Sequence, residues 1–196
     1  MRSINSDIWL KTARLDIRPL TLDDLDQHQA LTNDETLARN ASRLPFPYTM
    51  DDARAFLTMK INAWTDGEEF AFGGFAGATL IGHASLRLLP EGWSLGYDTH
   101  RDHRGAGYAT ELARAVCQFG FDRLETPEIR AGHYVDNPAS GVVLRKLGFQ
   151  ATGERVSVFS KGRDCKVESI EYVLRRDDFQ PTANPTDIDP RAQGAE

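Results

Sequence analysis

The chain has 196 residues and a net charge of −6, with 40% hydrophobic residues. That length suits one domain with a core large enough to fold without disulfides or structural metals. The acidic balance excludes the broadly basic face that non-specific nucleic-acid binding needs. No apolar run reaches membrane-spanning length and no signal-peptide pattern stands at the start, so no membrane partner is expected and a cytoplasmic location is the default. The two cysteines, Cys117 and Cys165, have no metal-ligand spacing and no disulfide framework.

Residues 1–10 carry little pattern and are read as a lead-in. From 14 to 20, Leu15, Ile17 and Leu20 alternate with Arg14, Asp16 and Arg18 like a strand that Pro19 ends. Thr21 and Asp24 resemble a capping arrangement before a short helix from Leu22 to about Leu31. A second short helix follows over 34–40. Residues 44–48 form a proline-punctuated loop expected to expose its aromatics. Thr49 caps a helix over 50–65 whose apolar positions follow a helical stripe.

Asp66-Gly67 is a turn signal, and the chain then becomes strand-like. Phe70, Phe72 and Phe75 mark a first strand, 80–89 a second and 93–100 a third. Their links are too short for crossovers, so the three form an antiparallel meander. A helix over 107–124 places Ala109, Leu112, Ala113, Val116, Cys117 and Gly120 on one face, with Cys117 as a buried thiol. A strand over 128–135 follows. The next helix is punctuated by Asn137 at the cap, Pro138 at its first position and Gly148 past its end. Strands over 150–159 and 166–175 close the domain. From Gln180 to Glu196 apolar residues nearly vanish, which predicts a disordered tail. The expected organisation is a lead-in over 1–10, a domain over 11–179 and a tail over 180–196. The element order predicts a single α+β sheet with helices on its faces.

Between the third strand and the long helix lies Arg101-Asp102-His103-Arg104-Gly105-Ala106-Gly107-Tyr108-Ala109. Small residues before a helix N-terminus make a phosphate cradle, because the backbone approaches the ligand and the first free N–H groups point at it. A Walker A loop needs Lys and then Ser or Thr after its last glycine, and Gly107 is followed by Tyr108-Ala109. A dinucleotide fingerprint needs a third glycine where Thr110 stands, and it opens a βαβ unit rather than following a meander.

Arg104-Gly105-Ala106-Gly107-Tyr108-Ala109 resembles the Arg/Gln-x-x-Gly-x-Gly/Ala pyrophosphate loop of the GNAT N-acetyltransferase family. Three further segments, in order, are similar to its RimJ/RimL-like subgroup. They are Leu10 to Leu20, then Leu44-Pro45-Phe46-Pro47-Tyr48-Thr49 with Asp52-Ala53-Arg54, then Asn137-Pro138-Ala139-Ser140 with Lys146-Leu147-Gly148-Phe149. The resemblance spans about residues 10–178. It implies a central mixed, mostly antiparallel sheet splayed between two parallel strands, with helices on both faces. It implies transfer of an acetyl group from acetyl-CoA, a co-substrate, to a primary amine by direct attack, with no metal. The acceptor is a protein N-terminal amine or a small-molecule amine, and the enzyme a monomer or homodimer.

The resemblance also implies residue roles. Backbone N–H groups of Arg104, Gly105, Ala106, Gly107, Tyr108 and Ala109 hold the pyrophosphate, with His103 adding charge. Asp98 and Thr99 pair with the pantetheine amides through their backbones, and Asn137 reaches it from the other side, besides capping its helix. Ser140 donates to the CoA sulfur, with Tyr134 as the other nearby donor. The general base is open. Many relatives carry Glu two residues before the Gly-Tyr of the central strand, but Ser94 precedes Gly96-Tyr97 here. His83, Asp98, His133 and Glu171 are the substitutes. The missing Glu motivates an alternative, a non-catalytic acyl-CoA-binding or regulatory module on the same fold.

Overall fold

The computed structural model describes residues 7–181. Residues 1–6 of the lead-in and 182–196 of the expected tail lie outside the described residues. The strands are β1 (Leu10–Lys11), β2 (Asp16–Pro19), β3 (Glu69–Ala76), β4 (Thr79–Leu89), β5 (Gly92–Thr99), β6 (Glu128–Tyr134), β7 (Gln150–Ser160) and β8 (Cys165–Arg175). The helices are α1 (Leu25–Thr32), α2 (Glu35–Asn40), α3 (Met50–Asp66), α4 (Tyr108–Arg123) and α5 (Pro138–Leu147). The strands form one sheet in the order β1-β2-β3-β4-β5-β6-β8-β7. Every neighbouring pair is antiparallel except β5 and β6, which are parallel.

The sheet is covered on both faces. Successive strand residues point to opposite sides. A side chain at Gly74 would meet Leu112 of α4, whereas one at Gly73 would meet Leu20 and Leu80. Leu112, Val116 and Phe119 of α4 pack with Phe70, Phe72, Ala84 and Leu86, and α5 lies beside α4 against β6. On the other side Leu25 and Leu31 of α1 and Leu57 of α3 pack with Leu20, Phe75 and Leu80. Leu80 reaches that side because of an irregular register. Gly74 pairs with Gly82 and Phe75 with Leu80, which leaves Ile81 as the extra residue and turns Leu80 over.

Local signals set most element ends. In α3, Thr49 and Asp52 form a reciprocal capping box and Gly67 closes the helix in the left-handed conformation. In α5, the Asn137 side chain accepts from the Ser140 N–H, Pro138 opens the helix and Gly148 ends it. Cys117 is fully buried, and burial pushes its thiol well up.

Three expectations need correction. The strand over 14–20 shrinks to Asp16–Pro19, because the Thr12 N–H donates to the Leu15 carbonyl and closes a turn between β2 and the unforeseen β1. The helix over 22–31 splits into a 3-10 turn, Leu22–Asp24, and α1. Tyr48 is 2% exposed, not an open aromatic. Its N–H donates to Asn33, its hydroxyl to the Asp52 carbonyl, and its ring meets His28 edge-on. Phe46, in the same loop, is exposed as expected.

Candidate active site

The site begins where two strands part. β5 and β6 pair only at Trp93 with Ile129 and at Ser94 with Arg130. Beyond that point β5 follows β4 and β6 follows β8, so a gap opens between Gly96–Thr99 and Gly132–Tyr134. The backbone edges facing this gap have no neighbouring strand. Asp98 turns its carboxylate to His83, accepting from the His83 N–H at 3.1 Å and lying 3.3 Å from His83 Nδ1. The buried Thr99 hydroxyl has no partner among the described residues.

The glycine loop lies at the end of β5. Gly105 and Gly107 have φ of +78° and +84°, a conformation that favours glycine. Gly107 is the N-cap of α4 and offers no side chain to the first helical N–H groups. Those donors are left for an anion. The loop is braced on both sides. Arg14 donates to the Ala106 carbonyl at 2.9 Å and to Glu111 at 2.7 Å, and its guanidinium lies over the Tyr108 ring. Thr12 donates to Glu111 at 2.6 Å. Burial alone would raise the Glu111 carboxyl, but the Thr12 and Arg14 hydrogen bonds hold it below its ordinary range.

On the other side Arg104 donates through Nε to the Thr99 carbonyl and through Nη2 to Asp34, the cap of α2. The Arg104 guanidinium is thus committed to protein partners, and what it leaves to the loop is backbone. The His103 ring packs edge-on against Tyr108.

Ser140 sits in the first turn of α5 and faces the gap's other wall. Its hydroxyl lies 2.7 Å from the Tyr97 hydroxyl, which also lies 3.0 Å from the Ser140 carbonyl. A carbonyl only accepts, so Tyr97 donates there, and across the 2.7 Å contact Ser140 donates to the phenol oxygen. Burial pushes the Tyr97 phenol up to about 12, so it remains protonated at working pH. Tyr134, the other nearby donor, instead lies under the Arg163 guanidinium.

On the sheet face opposite α4 and α5, a recess of about 270 Å³ opens beside the gap. Glu69, Arg87, Ser94, Gly132 and Glu171 line it, and Arg43 stands over it. The Glu171 carboxylate lies over Gly132: a side chain there would come within 2.7 Å of Glu171 Oε1. Lys60 and Glu69 form a buried ion pair at one wall.

The sequence matches the family described as acetyltransferase (GNAT) domain over residues 14–150. The chain belongs to the GNAT acetyltransferase family. It is 30% identical to the probable N-acetyltransferase YjcK of Bacillus subtilis over 183 residues, 87% of this chain and 99% of YjcK. The fold is similar to that of a putative ribosomal-protein-serine acetyltransferase from Vibrio cholerae, at TM-score 0.73 and 22% identity over 88% of this chain and 99% of that one. It is also similar to Mycobacterium smegmatis RimJ in complex with CoA-disulfide, at TM-score 0.74 and 14% identity over 87% and 86%.

As a member of this family the protein is an acyl-CoA-dependent N-acetyltransferase that moves an acetyl group to an amine. The strand pair that the resemblance implied is the β5–β6 pair. Among the described residues no helix is long and apolar enough to cross a membrane, and no cluster of His, Cys, Asp and Glu has a metal-binding arrangement.

The four base candidates separate in space. His133 lines the recess, but its ring packs under Gly141 of α5, 3.3 Å from the Tyr172 hydroxyl. His83 and Asp98 face each other beneath α1 and α3, with the His83 ring edge-on to Phe56 and His28. Glu171 alone of the four brings its carboxylate to the gap. Three residues were missed. Arg14 and Glu111 pair across 97 positions, and Tyr97 meets Ser140 across 43. Glu111 in the first turn after the loop was the only sequence hint, as an anion near a helix N-terminus.

The histidine cluster predicts an acid limb. Burial, and then repulsion from His83, lowers the His28 pKa from 6.5 to about 4. Lys60 adds to this, while Asp98 and Asp24 oppose it. The unfolded chain therefore binds more protons between those two values. Stability is fully present above pH 6.5 and falls as pH drops toward 4, by up to about 3 kcal/mol from this group. Urea unfolding across this range checks it: His28→Phe should flatten the limb, and an unaltered limb would exclude His28 as its source.

Proposed function

We propose that acetyl-CoA is the donor and that its pyrophosphate is held by the N–H groups of Arg104, Gly105, Ala106, Gly107, Tyr108 and Ala109, with His103 beside them. The reading rests on one observation: the glycine-capped start of α4 stands at the mouth of the β5–β6 gap. The residues fit the group. The helix cap lacks a side-chain acceptor, and the gap has backbone edges at Asp98 and Thr99 for an extended, amide-bearing arm. Asn137 caps α5 at the same gap and would hold the arm from the far side.

Acetyl-CoA supplies the activated acyl group. Ser140 donates a proton to the departing sulfur, and Tyr97 holds the Ser140 hydroxyl in place. The acceptor ammonium loses two protons overall, one ending on the thiol and one in solvent. The acceptor, a primary amine of a protein N-terminus or of a small molecule, approaches through the recess on the opposite sheet face. Cytoplasm, where acetyl-CoA is used, is the location that goes with this reading.

Gly107→Val tests the cradle. At φ of +84° a β-branched residue is strained by about 1–2 kcal/mol, and its methyl groups crowd the helix entrance. Calorimetric titration should show CoA affinity reduced by about tenfold or more, with circular dichroism unchanged. Unaltered affinity in a folded variant would place the pyrophosphate elsewhere.

A further inference from the structure

The recess beside the gap carries opposite charges on its two sides. Lys60 and Glu69 neutralise each other, and Ser85 also donates to Glu69 at 2.8 Å. What remains is Arg43 and Arg87 against Glu171. Arg87 stands on β4, between Glu69 of β3 and Ser94 of β5. Arg43 leads out of the segment after α2. Arg43 and Arg87 line the same recess, and desolvation, then repulsion from Arg87, pulls the Arg43 guanidinium below its ordinary value against the opposing attraction of Glu69. Neither guanidinium makes an ion pair or hydrogen bond among the described residues. Each is a planar fork of donors matched to a carboxylate or phosphate.

Glu171 lies across the gap on β8, over Gly132, and its carboxylate is likewise unpaired among the described residues. From β4 to β8 is three strand spacings, on the order of 14 Å between backbones before the splay is added. Long side chains reach inward from both ends. The space left between their charges has the size of a small molecule, and the recess itself is about 270 Å³.

We propose that the acceptor is a small zwitterionic amine of amino-acid type, its ammonium held by Glu171 and its carboxylate or phosphate by Arg87 and Arg43. This rests on the recess being the acceptor side of the acetyl-transfer site. A neutral amine leaves the half-buried Arg87 and the exposed Arg43 repelling each other across the recess, and an anionic group relieves that repulsion. The anion also fixes the amine's position relative to the gap. Glu171 thereby takes the place that Ser94 leaves vacant, reaching the amine from β8 instead of β5.

Two measurements decide it. The first is kcat/KM for matched acceptors: an amino acid against its carboxamide, and 2-aminoethyl phosphate against ethylamine. The carboxamide carries the less basic amine and would win if the anion were ignored. The anionic member should lead by about tenfold or more, and Arg87→Gln with Arg43→Gln should bring the ratio near one. An acidic dipeptide, whose carboxylates lie farther from its amine, should fall behind the single amino acid. A neutral member that equals or beats its anionic partner overturns the proposal, as does a ratio that survives in the double variant.

The second measurement needs no turnover. Calorimetry on the CoA-loaded protein compares an N-acetyl amino acid with its amide, and the acid should bind about tenfold more tightly. Equal binding overturns the anion subsite even if amines are acetylated. If no amine is acetylated, acetyl transfer itself fails, and the calorimetry still decides the subsite.

Discussion

Ser140→Ala is expected to lower kcat by about 100-fold or more while CoA affinity changes by less than about threefold. The thiolate leaving group needs a proton, and the Ser140 hydroxyl, 2.7 Å from the Tyr97 hydroxyl, is the donor oriented toward the gap. With the phenol proton on the Ser140 carbonyl at 3.0 Å, the Tyr97 oxygen accepts from Ser140 and positions that hydroxyl, whose proton must turn from Tyr97 to the sulfur as the thiolate departs. Tyr97→Phe should therefore give a smaller loss of kcat, because the serine remains and only its orientation is freed. Stopped-flow measurement of thiol release separates chemistry from binding. A serine that merely caps its helix would leave kcat intact in Ser140→Ala. That outcome would move the acid to another group.

Lys60→Met is expected to cost about 3–5 kcal/mol of stability, the largest loss from one side chain in this account. Lys60 and Glu69 are 3% and 5% exposed, and removing the ammonium strands a carboxylate in the wall of the recess. Burial would raise the Glu69 carboxyl, but Lys60 holds it below its ordinary value of 4.5. That contribution is present above pH 4.5 and is lost as pH falls below it. The deficit of Lys60→Met should accordingly shrink in acid, where Glu69 protonates. Adding Glu69→Gln should restore much of the stability, because the amide still accepts from Ser85. Urea unfolding at pH 8 and pH 4 would show both effects. A deficit that does not change with pH would mean that the stranded charge is not its cause.

Local chemistry was legible in the sequence and distant pairing was not. The ends of α5 were read correctly because cap, Pro138 and Gly148 act within one helical turn. The meander β3 to β5 was read from short links, and the glycine loop from its spacing. Tyr48 was misread because its partners, Asn33 and His28, come from α1 and the residue after it. The brace from Arg14 to Glu111 brings a turn after β1 to the first turn of α4, which no local pattern predicts. Glu171 stood among four equal candidates until the sheet order put β8 beside β6 and its carboxylate over Gly132. Arg43 and Arg87 belong to no motif in the sequence, and only the fold brings them to one recess.

The central claim is that an acetyl group passes directly from a thioester held at the glycine loop to an amine in the recess. Incubation with acetyl-CoA labelled in the acetyl group, followed by mass spectrometry of a panel of amines and amino acids, tests it most directly. The account predicts label on an amine nitrogen, one equivalent for each equivalent of free CoA thiol released. CoA that binds while no amine gains label, or thiol release that yields only free acetate, would contradict it.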